Sequence, residues 1–489
     1  MALCKRLIAR LDIKGNRLIK GIRFEGLRVV GDPCEAAVRY YKEGADELIY
    51  IDAVASLYGR NGLEDVLRRT SREVFIPITA GGGVRSVADA SALLAAGADK
   101  IAVNTAALQR PELITELAEA FGSQCVVASI QARRIGPEQW EAMAEAGRER
   151  SGWDVIDWIE QVQKFRAGEL LITSVDQDGT CSGPDMQLQE AVSAIARIPL
   201  VFGGGFVEIN QLELALQKPA IAGVSIAAAL HNGRLDLTSL KLALSTAVVP
   251  LAVRSVPGGA QTPMVSVLQP LTGQRIGVID YGMGNQQSLI NALEHLGATV
   301  LLASEPKLLQ RCDLLTLPGV GSFPQGMLQL QERGLDSWLK QWVAAGNPLL
   351  GICLGMQMLF ESSEEFTFTN GLGLMKGGVI AMPIMDERGN LLTLPHIGWN
   401  CLIPGEAWNH EEISDPSNQY FVHSYMATSV NPNAVLFNCL YGHHKFVAAV
   451  RQGRIAGFQF HPELSGSEGL YLLQKVILSL INQQYIYKN

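Results

Sequence analysis

Short runs of apolar, often β-branched residues alternate with longer stretches of mixed polarity over residues 1–245. The runs are LIARLDI (7–13), ELIYID (47–52), VFIPITAGGG (74–83), KIAVNTA (100–106), CVVASI (125–130), ELLITSV (169–175), IPLVFGGG (198–205) and GVSIAAA (223–229). Continuous apolar runs predict strands buried on both faces. The amphipathic stretches between them predict the helices that cover a parallel sheet. Eight strand–helix units in about 240 residues predict a closed (β/α)8 barrel.

The pattern repeats internally, which predicts two half-barrels of four units each. Pro77 and Pro199 stand 122 residues apart, and the same offset carries Gly81–Gly83 onto Gly203–Gly205 and Ala106–Leu108 onto Ala228–Leu230. The first strand follows at 119, where Leu7–Ile13 aligns with Val126–Ala132. Residues 246–273 lose the period and are dense in Pro, Gly, Ser, Thr and Gln, which predicts a linker. A second α/β pattern starts at IGVIDYGMGN (276–285), giving domains over 1–245 and 274–489.

Composition narrows the partners. A net charge of −8 argues against a nucleic-acid binder, which needs a basic face. The N-terminal apolar stretch is broken by Arg10 and Asp12, so it predicts no signal peptide, and no window predicts a membrane span. Eight scattered Cys without a C-x-x-C pair fit a reduced, cytoplasmic chain. The dispersed His predict no metal site, and the glycine triplets lack G-x-G-x-x-G spacing, so no cofactor is expected.

Barrel enzymes work at the C-terminal ends of their strands, and glycines there let backbone N–H groups approach an anion. Gly81–Gly83 and Gly203–Gly205 close symmetric strands, so they predict two facing phosphate sites, with Asn104, Thr105 and the Asp178-Gly179-Thr180 run close by. These segments, with RLIARLDIKGNRLIKG, ADELIYIDAVAS, GADKIAVNTAAL and RAGELLITSVDQDGT, resemble the cyclase subunit of the imidazole glycerol phosphate synthase family over the whole barrel. In that family a twin-phosphate ribulosyl intermediate is cleaved and cyclised with ammonia, in histidine biosynthesis. The resemblance implies one phosphate near Gly82, Gly83, Asn104 and Thr105, and the other near Asp178, Gly179, Gly204, Gly205 and Ala228. It implies Asp12 as one member of an acid/base pair, with Lys20 ordering the following loop or positioning a phosphate. The second member is replaced by Gln131, whose amide cannot titrate. The loop after the first strand also departs, reading Lys14-Gly15-Asn16-Arg17. Arg6, Glu47, Lys100 and Glu169 stand at strand starts, and the resemblance implies a charged gate for ammonia there.

In the second half, an apolar strand runs into Gly351-Ile352-Cys353-Leu354-Gly355, a nucleophile elbow with Cys at its tip. Gly457-Phe458-Gln459-Phe460-His461-Pro462-Glu463 places a base and a carboxylate two apart, where strand alternation would turn both to one side. Together the two motifs resemble class I glutamine amidotransferases. Within that class, DYGMGN, LPGVGSF, PHIGWN and FVHSY are similar to the glutaminase subunit of the same synthase family. Gly319, Val320 and Gly321 then read as the oxyanion strand, and Gln357, His423, Ser424 and Tyr425 as the glutamine-binding set.

The expectation is a fused enzyme that hydrolyses glutamine and passes ammonia to a bis-phosphorylated acceptor, docking its two domains within one chain or in trans. Gln131 keeps a second reading open, a paralogue with another acceptor or a partner enzyme. Relatives of the family are associated with amidino sugars.

Overall fold

The structure is a computed structural model and describes residues 3–55, 63–246, 249–252, 270–408 and 418–482. Two compact units emerge, one built on Cys4–Ala252 and the other on Val253–Leu392 with Trp399–Asn489. Most of the expected linker, 253–269, lies outside the described residues. Before it, Leu251 makes a parallel bridge to Lys5, whose amide donates to the Pro250 carbonyl at 2.6 Å. Among the described residues no helix is long and apolar enough to cross a membrane.

Eight parallel strands close the first unit: β1 (Arg6–Lys14), β2 (Glu47–Asp52), β3 (Ile78–Gly81), β4 (Lys100–Val103), β5 (Val126–Gly136), β6 (Glu169–Ser174), β7 (Leu200–Gly203) and β8 (Ile221–Ile226). β8 pairs back onto β1, with Leu7 opposite Val224, which completes the circle. Alternate residues point inward, and Ile8, Ile49, Ile51, Ala102, Val127, Leu171 and Val201 pack into one apolar layer. The helices cover the outside. α1 (Pro33–Glu43) begins on the Asp32 cap, which accepts from the Cys34 and Glu35 amides, and ends on left-handed Gly44.

The segment after β1 is a hairpin rather than a loop. Arg17–Ile22 pairs antiparallel with β1 and with Glu25–Gly31. Gly15 and Asn16 make the two-residue turn between paired Lys14 and Arg17, and Gly15 supplies the positive φ of 56°. β5 does the same in the other half-barrel, folding back through Gln139–Ala144 and Glu149–Asp154. The twofold repeat of the barrel therefore extends, in structure, to these additions at the C-terminal ends of the strands.

The second unit is a mixed sheet. Its parallel core is β9 (Arg275–Ile279), β10 (Thr299–Ala303), β11 (Leu314–Leu317), β12 (Leu349–Ile352) and β13 (Ile455–Phe458), ordered β10-β9-β11-β12-β13. Antiparallel strands His444–Gln452 and Val435–Tyr441 extend it beyond β13. β12 and β13 are central neighbours, so the ends of both reach the same point.

Candidate glutaminase centre and barrel mouth

Cys353 leaves β12 with φ 53° and ψ −108°, a conformation that L side chains rarely adopt. Such strain costs on the order of 1–3 kcal/mol and is held by its surroundings. A Cβ on Gly355 would lie 1.7 Å from the Leu317 carbonyl oxygen, and one on Gly351 would lie 2.6 Å from Gly355 backbone. Only glycine fits on either side of the turn. The Cys353 amide donates to Phe458 O of β13 at 2.6 Å, which fixes the elbow to the neighbouring strand.

His461 follows β13, and its Nδ1 meets Glu463 Oε1 at 2.7 Å, with both groups buried. Strand alternation does not produce this pairing. Residues Pro462–Leu464 form a single 3-10 turn, which folds the carboxylate back under the ring. The Tyr420 carbonyl, accepting from the His461 amide at 2.9 Å, fixes the ring's place. Among the described residues Nε2 has no aligned hydrogen-bond partner, and it stands beside the Cys353 thiol.

Burial pushes the His461 imidazole down, but Glu463 and then Cys353 outweigh it and hold the ring well above its ordinary 6.5. A raised histidine contributes stability that is complete below pH 6.5 and fades as pH climbs through the folded-state value. Glu463→Gln removes the main cause. In a histidine-resolved NMR titration the His461 midpoint is expected to move down in that variant. Its stability deficit against wild type should be largest below pH 6.5 and shrink as pH rises. An unmoved midpoint would show that Glu463 does not set the imidazole's charge.

Sequence reasoning missed Gln459, which donates through Nε2 to Cys353 Sγ at 3.7 Å. Its Oε1 accepts from Gln357 Nε2 at 3.0 Å, and Gln357 also donates to Tyr425 O at 3.1 Å. Alternation along Phe458-Gln459-Phe460-His461 was the available signal, since Gln459 and His461 share a parity. His423 is buried behind this set, its Nδ1 2.8 Å from Tyr425 O, and burial pulls it down to about 4. Ser424 is half-buried. Along the expected oxyanion strand, Gly319 presents its carbonyl: the Leu354 amide donates to it at 3.3 Å. Val320 is buried, and Gly321 has φ 147°.

In the barrel, Asp12 is buried between two cations. Arg10 Nε reaches Oδ1 at 2.8 Å and Lys20 Nζ reaches Oδ2 at 2.7 Å. Lys20, on the hairpin, also holds Asp178 at 2.9 Å. Burial raises the Asp12 carboxyl, but Arg10 and Lys20 outweigh it and keep it well below the usual carboxylate range. Gln131 is buried, its Oε1 without a hydrogen-bond partner among the described residues, in the wall of a cavity of about 270 Å3 shared with Gly82, Gly83, Asn104 and Thr105. Asp178, Gly179, Gly204, Gly205 and Ala228 meet around a second cavity of only about 20 Å3, with Arg10 in its wall. The two sets named from the sequence are thus each brought together.

At the opposite ends of the strands, Arg6, Glu47, Lys100 and Glu169 form a closed ring, each at most 1% exposed. Arg6 bonds Glu47 at 2.7 Å and also Glu169, while Lys100 bonds Glu47 at 2.7 Å and Glu169 at 2.6 Å. Burial raises the Glu169 carboxyl, but Arg6 and Lys100 outweigh it and hold it low.

Comparison with known proteins accounts for both halves. Residues 6–236 match the family model described as Histidine biosynthesis protein, and residues 277–479 match Glutamine amidotransferase class-I. The Imidazole glycerol phosphate synthase subunit HisF of Legionella pneumophila is 56% identical over 206 residues, covering 42% of this chain and 97% of the relative. The HisF subunit of Streptococcus sanguinis (strain SK36) is 41% identical over 243 residues, covering 50% of this chain and 96% of its own. That of Bacillus cereus (strain G9842) is 42% identical over 247 residues, covering 50% and 98%. The chain belongs to the imidazole glycerol phosphate synthase HisF family through its barrel and carries a class I glutamine amidotransferase domain after it, so it is an enzyme that couples glutamine amidotransfer to that barrel.

Proposed function

We propose that the chain hydrolyses glutamine at Cys353 and supplies the ammonia to an acceptor bound at the mouth of its barrel. The observation that carries this is the Cys353–His461–Glu463 arrangement on a strained elbow, in one chain with a HisF-type barrel. His461 takes the thiol proton, and the thiolate attacks the side-chain amide carbon of glutamine. The C–N bond breaks as His461 returns the proton to the leaving nitrogen, which departs as ammonia. Water then cleaves the glutamyl thioester, releasing glutamate and restoring the thiol. Gln357, His423, Ser424 and Tyr425 hold the glutamine, and the Gly319–Gly321 segment forms the oxyanion hole with the amide of Leu354, the residue after the nucleophile, once the Gly319 carbonyl leaves that amide. Joining producer to consumer keeps free ammonia at a high local concentration. The ring of Arg6, Glu47, Lys100 and Glu169 is the gate through which it enters the barrel.

For the acceptor, the synthase reading calls for the twin-phosphate ribulosyl intermediate, with one phosphate in each cavity of the mouth. Two observations favour the second reading, an acceptor that needs no acid/base pair from the barrel. Gln131 cannot exchange a proton, and Asp12 is held as an anion by Arg10 and Lys20. Losing a general acid or base costs about 10²–10⁴-fold. Paired product assays decide between the readings. With glutamine, glutamate release is expected. The ribulosyl intermediate is expected to survive, and to survive also when an ammonium salt replaces glutamine. Consumption of the intermediate in step with glutamate release would restore the full synthase.

A further inference from the structure

β9 pairs parallel with β11, β11 with β12, and β12 with β13, so the segments that follow these strands leave one edge of the sheet together. Cys353 follows β12 and His461 follows β13, while Pro318–Gly321 follows β11 and Tyr281 follows β9. Tyr281 is fully buried, and the chemistry above makes no use of it. Its ring belongs to the apolar core that also holds Leu317 and Leu354. Phenylalanine would fill that space without burying a hydroxyl, which costs free energy unless it is hydrogen-bonded. The hydroxyl donates to the Pro318 carbonyl at 2.6 Å. Burial first, and then the Cys353 sulfur, push the phenol up, so at neutral pH it stays a donor.

That bond fixes the peptide plane shared by Pro318 and Gly319. The next plane carries the Gly319 carbonyl, which faces the elbow and accepts from the Leu354 amide at 3.3 Å, a long bond. In a planar trans peptide the N–H points opposite to the carbonyl, so the Val320 N–H of the same plane faces away from the elbow. Gly284 lies on that side: a Cβ there would stand 2.7 Å from Val320 N. A Cβ on Gly319 would stand 2.3 Å from Tyr281 Oη and 3.0 Å from Leu354 Cβ. The plane therefore has bare backbone beside it at 284 and a glycine at its pivot, where ψ is least restricted.

We propose that Tyr281 is a positioning residue for the oxyanion strand, its hydroxyl pinning the Pro318–Gly319 plane while the Gly319–Val320 plane turns over. The turn takes the Gly319 carbonyl off the Leu354 amide toward Gly284 and brings the Val320 N–H round to the elbow. The Leu354 and Val320 amides then both face the oxygen of the tetrahedral intermediate on Cys353. Without the pin the rotation spreads into the Pro318–Gly319 plane, and the Val320 N–H no longer arrives at a fixed place. A displaced donor stabilises the developing charge poorly, so the loss falls on the transition state rather than on bound glutamine. This deepens the reading above, on which it rests for Cys353 as the group that attacks glutamine.

The test compares the full wild-type chain with Tyr281→Phe and Gly284→Ala. It measures steady-state glutamate release, alkylation of Cys353 by iodoacetamide, and equilibrium binding of glutamate γ-semialdehyde against that of glutamate. The aldehyde adds to the thiol: the S–C bond forms, the carbonyl π pair moves onto oxygen, and the thiol proton follows through His461. Its adduct engages the oxyanion donors, whereas bound glutamate and alkylation do not need them. Tyr281→Phe is expected to lower kcat about tenfold, part of the roughly 10²–10³-fold that one oxyanion donor is worth, with KM held within about twofold. Aldehyde affinity should fall by about the same factor, while glutamate affinity and the alkylation rate hold within about twofold. Gly284→Ala, which blocks the turn, should give the same pattern with a larger loss. Unchanged kcat and aldehyde affinity in Tyr281→Phe would overturn the proposal. So would alkylation falling in parallel with kcat, which would make Tyr281 a prop of the elbow, or a raised KM at unchanged kcat, or no saturable aldehyde binding to wild type. If Tyr281→Phe does not fold, unchanged aldehyde affinity in Gly284→Ala overturns it. Absence of glutamate release from wild type sinks the earlier reading, and the ratio of aldehyde to glutamate affinity still decides this one.

Discussion

Cys353→Ala is expected to lower glutamate release by about four orders of magnitude or more, the scale of losing a nucleophile that acts in concert with its base. The reaction has no other route through this site. Without sulfur no thioester forms, and His461 has no thiol proton to take. Cys353→Ser is the sharper control, because the hydroxyl occupies the same elbow but gives up its proton far less readily than a thiol. Both variants keep the left-handed turn between Gly351 and Gly355, so far-UV circular dichroism should be unchanged. Wild type is itself restrained, since the Leu354 amide is already satisfied by the Gly319 carbonyl. One oxyanion donor is worth about 2.7–4 kcal/mol, so the reference rate should be taken under conditions that release the most glutamate. Release within tenfold of wild type from Cys353→Ala would place the nucleophile elsewhere.

How much of this was legible depends on what each residue's neighbours in sequence reveal. The barrel strands read directly, because a strand buried on both faces must be apolar throughout, as ELIYID is. The glycines of the mouth read equally well, since Gly82 and Gly204 both hold φ near 105° and the repeat shows them twice. The elbow read for the same reason, as its two glycines are sterically compelled. The hairpin after β1 did not read. Its strands carry exposed Ile22, Val29 and Val30 and no clean alternation, and only the Gly15-Asn16 turn marks it. Arg10 reads as an interruption of an apolar run. Its meaning comes from Thr173, 163 positions away, and from a cavity that no local pattern encodes. The Lys20–Asp178 contact is likewise a product of closure, joining the hairpin to the segment after β6. The Glu463 turn misled in a smaller way: the two-residue spacing is right for a strand, but Pro462 starts a 3-10 turn that reaches the same pairing differently.

Lys100→Met is expected to destabilise the barrel by about 3–5 kcal/mol, the cost of removing one partner from a buried ion pair. In a unit of this size that lowers its thermal transition by on the order of 10 °C. The ring sums to zero charge, and Arg6 already engages both carboxylates, so its two bonds cannot replace what Lys100 gives. Glu47 Oε1 retains Thr79 Oγ1 at 2.6 Å, but Glu169 Oε2 loses the ammonium at 2.6 Å that now holds it. The deficit should therefore depend on pH. In wild type the Glu169 carboxyl is held below its ordinary 4.5, so it contributes stability above that value and loses it only as pH falls further. In Lys100→Met the same carboxyl keeps Arg6 but loses its second cation, its folded-state value rises, and the variant gains stability as pH falls and the proton binds. The gap between the two proteins should narrow toward acid. Adding Glu169→Gln to Lys100→Met should recover part of the loss at neutral pH, because, without opening a hole, it removes the excess negative charge that one arginine cannot balance. Thermal unfolding of the full chain across pH 5–8 measures all three. A Lys100→Met transition within a degree of wild type, with no pH dependence, would mean the four charges do not hold one another. A gate that closes by mutual pairing would then have no physical basis.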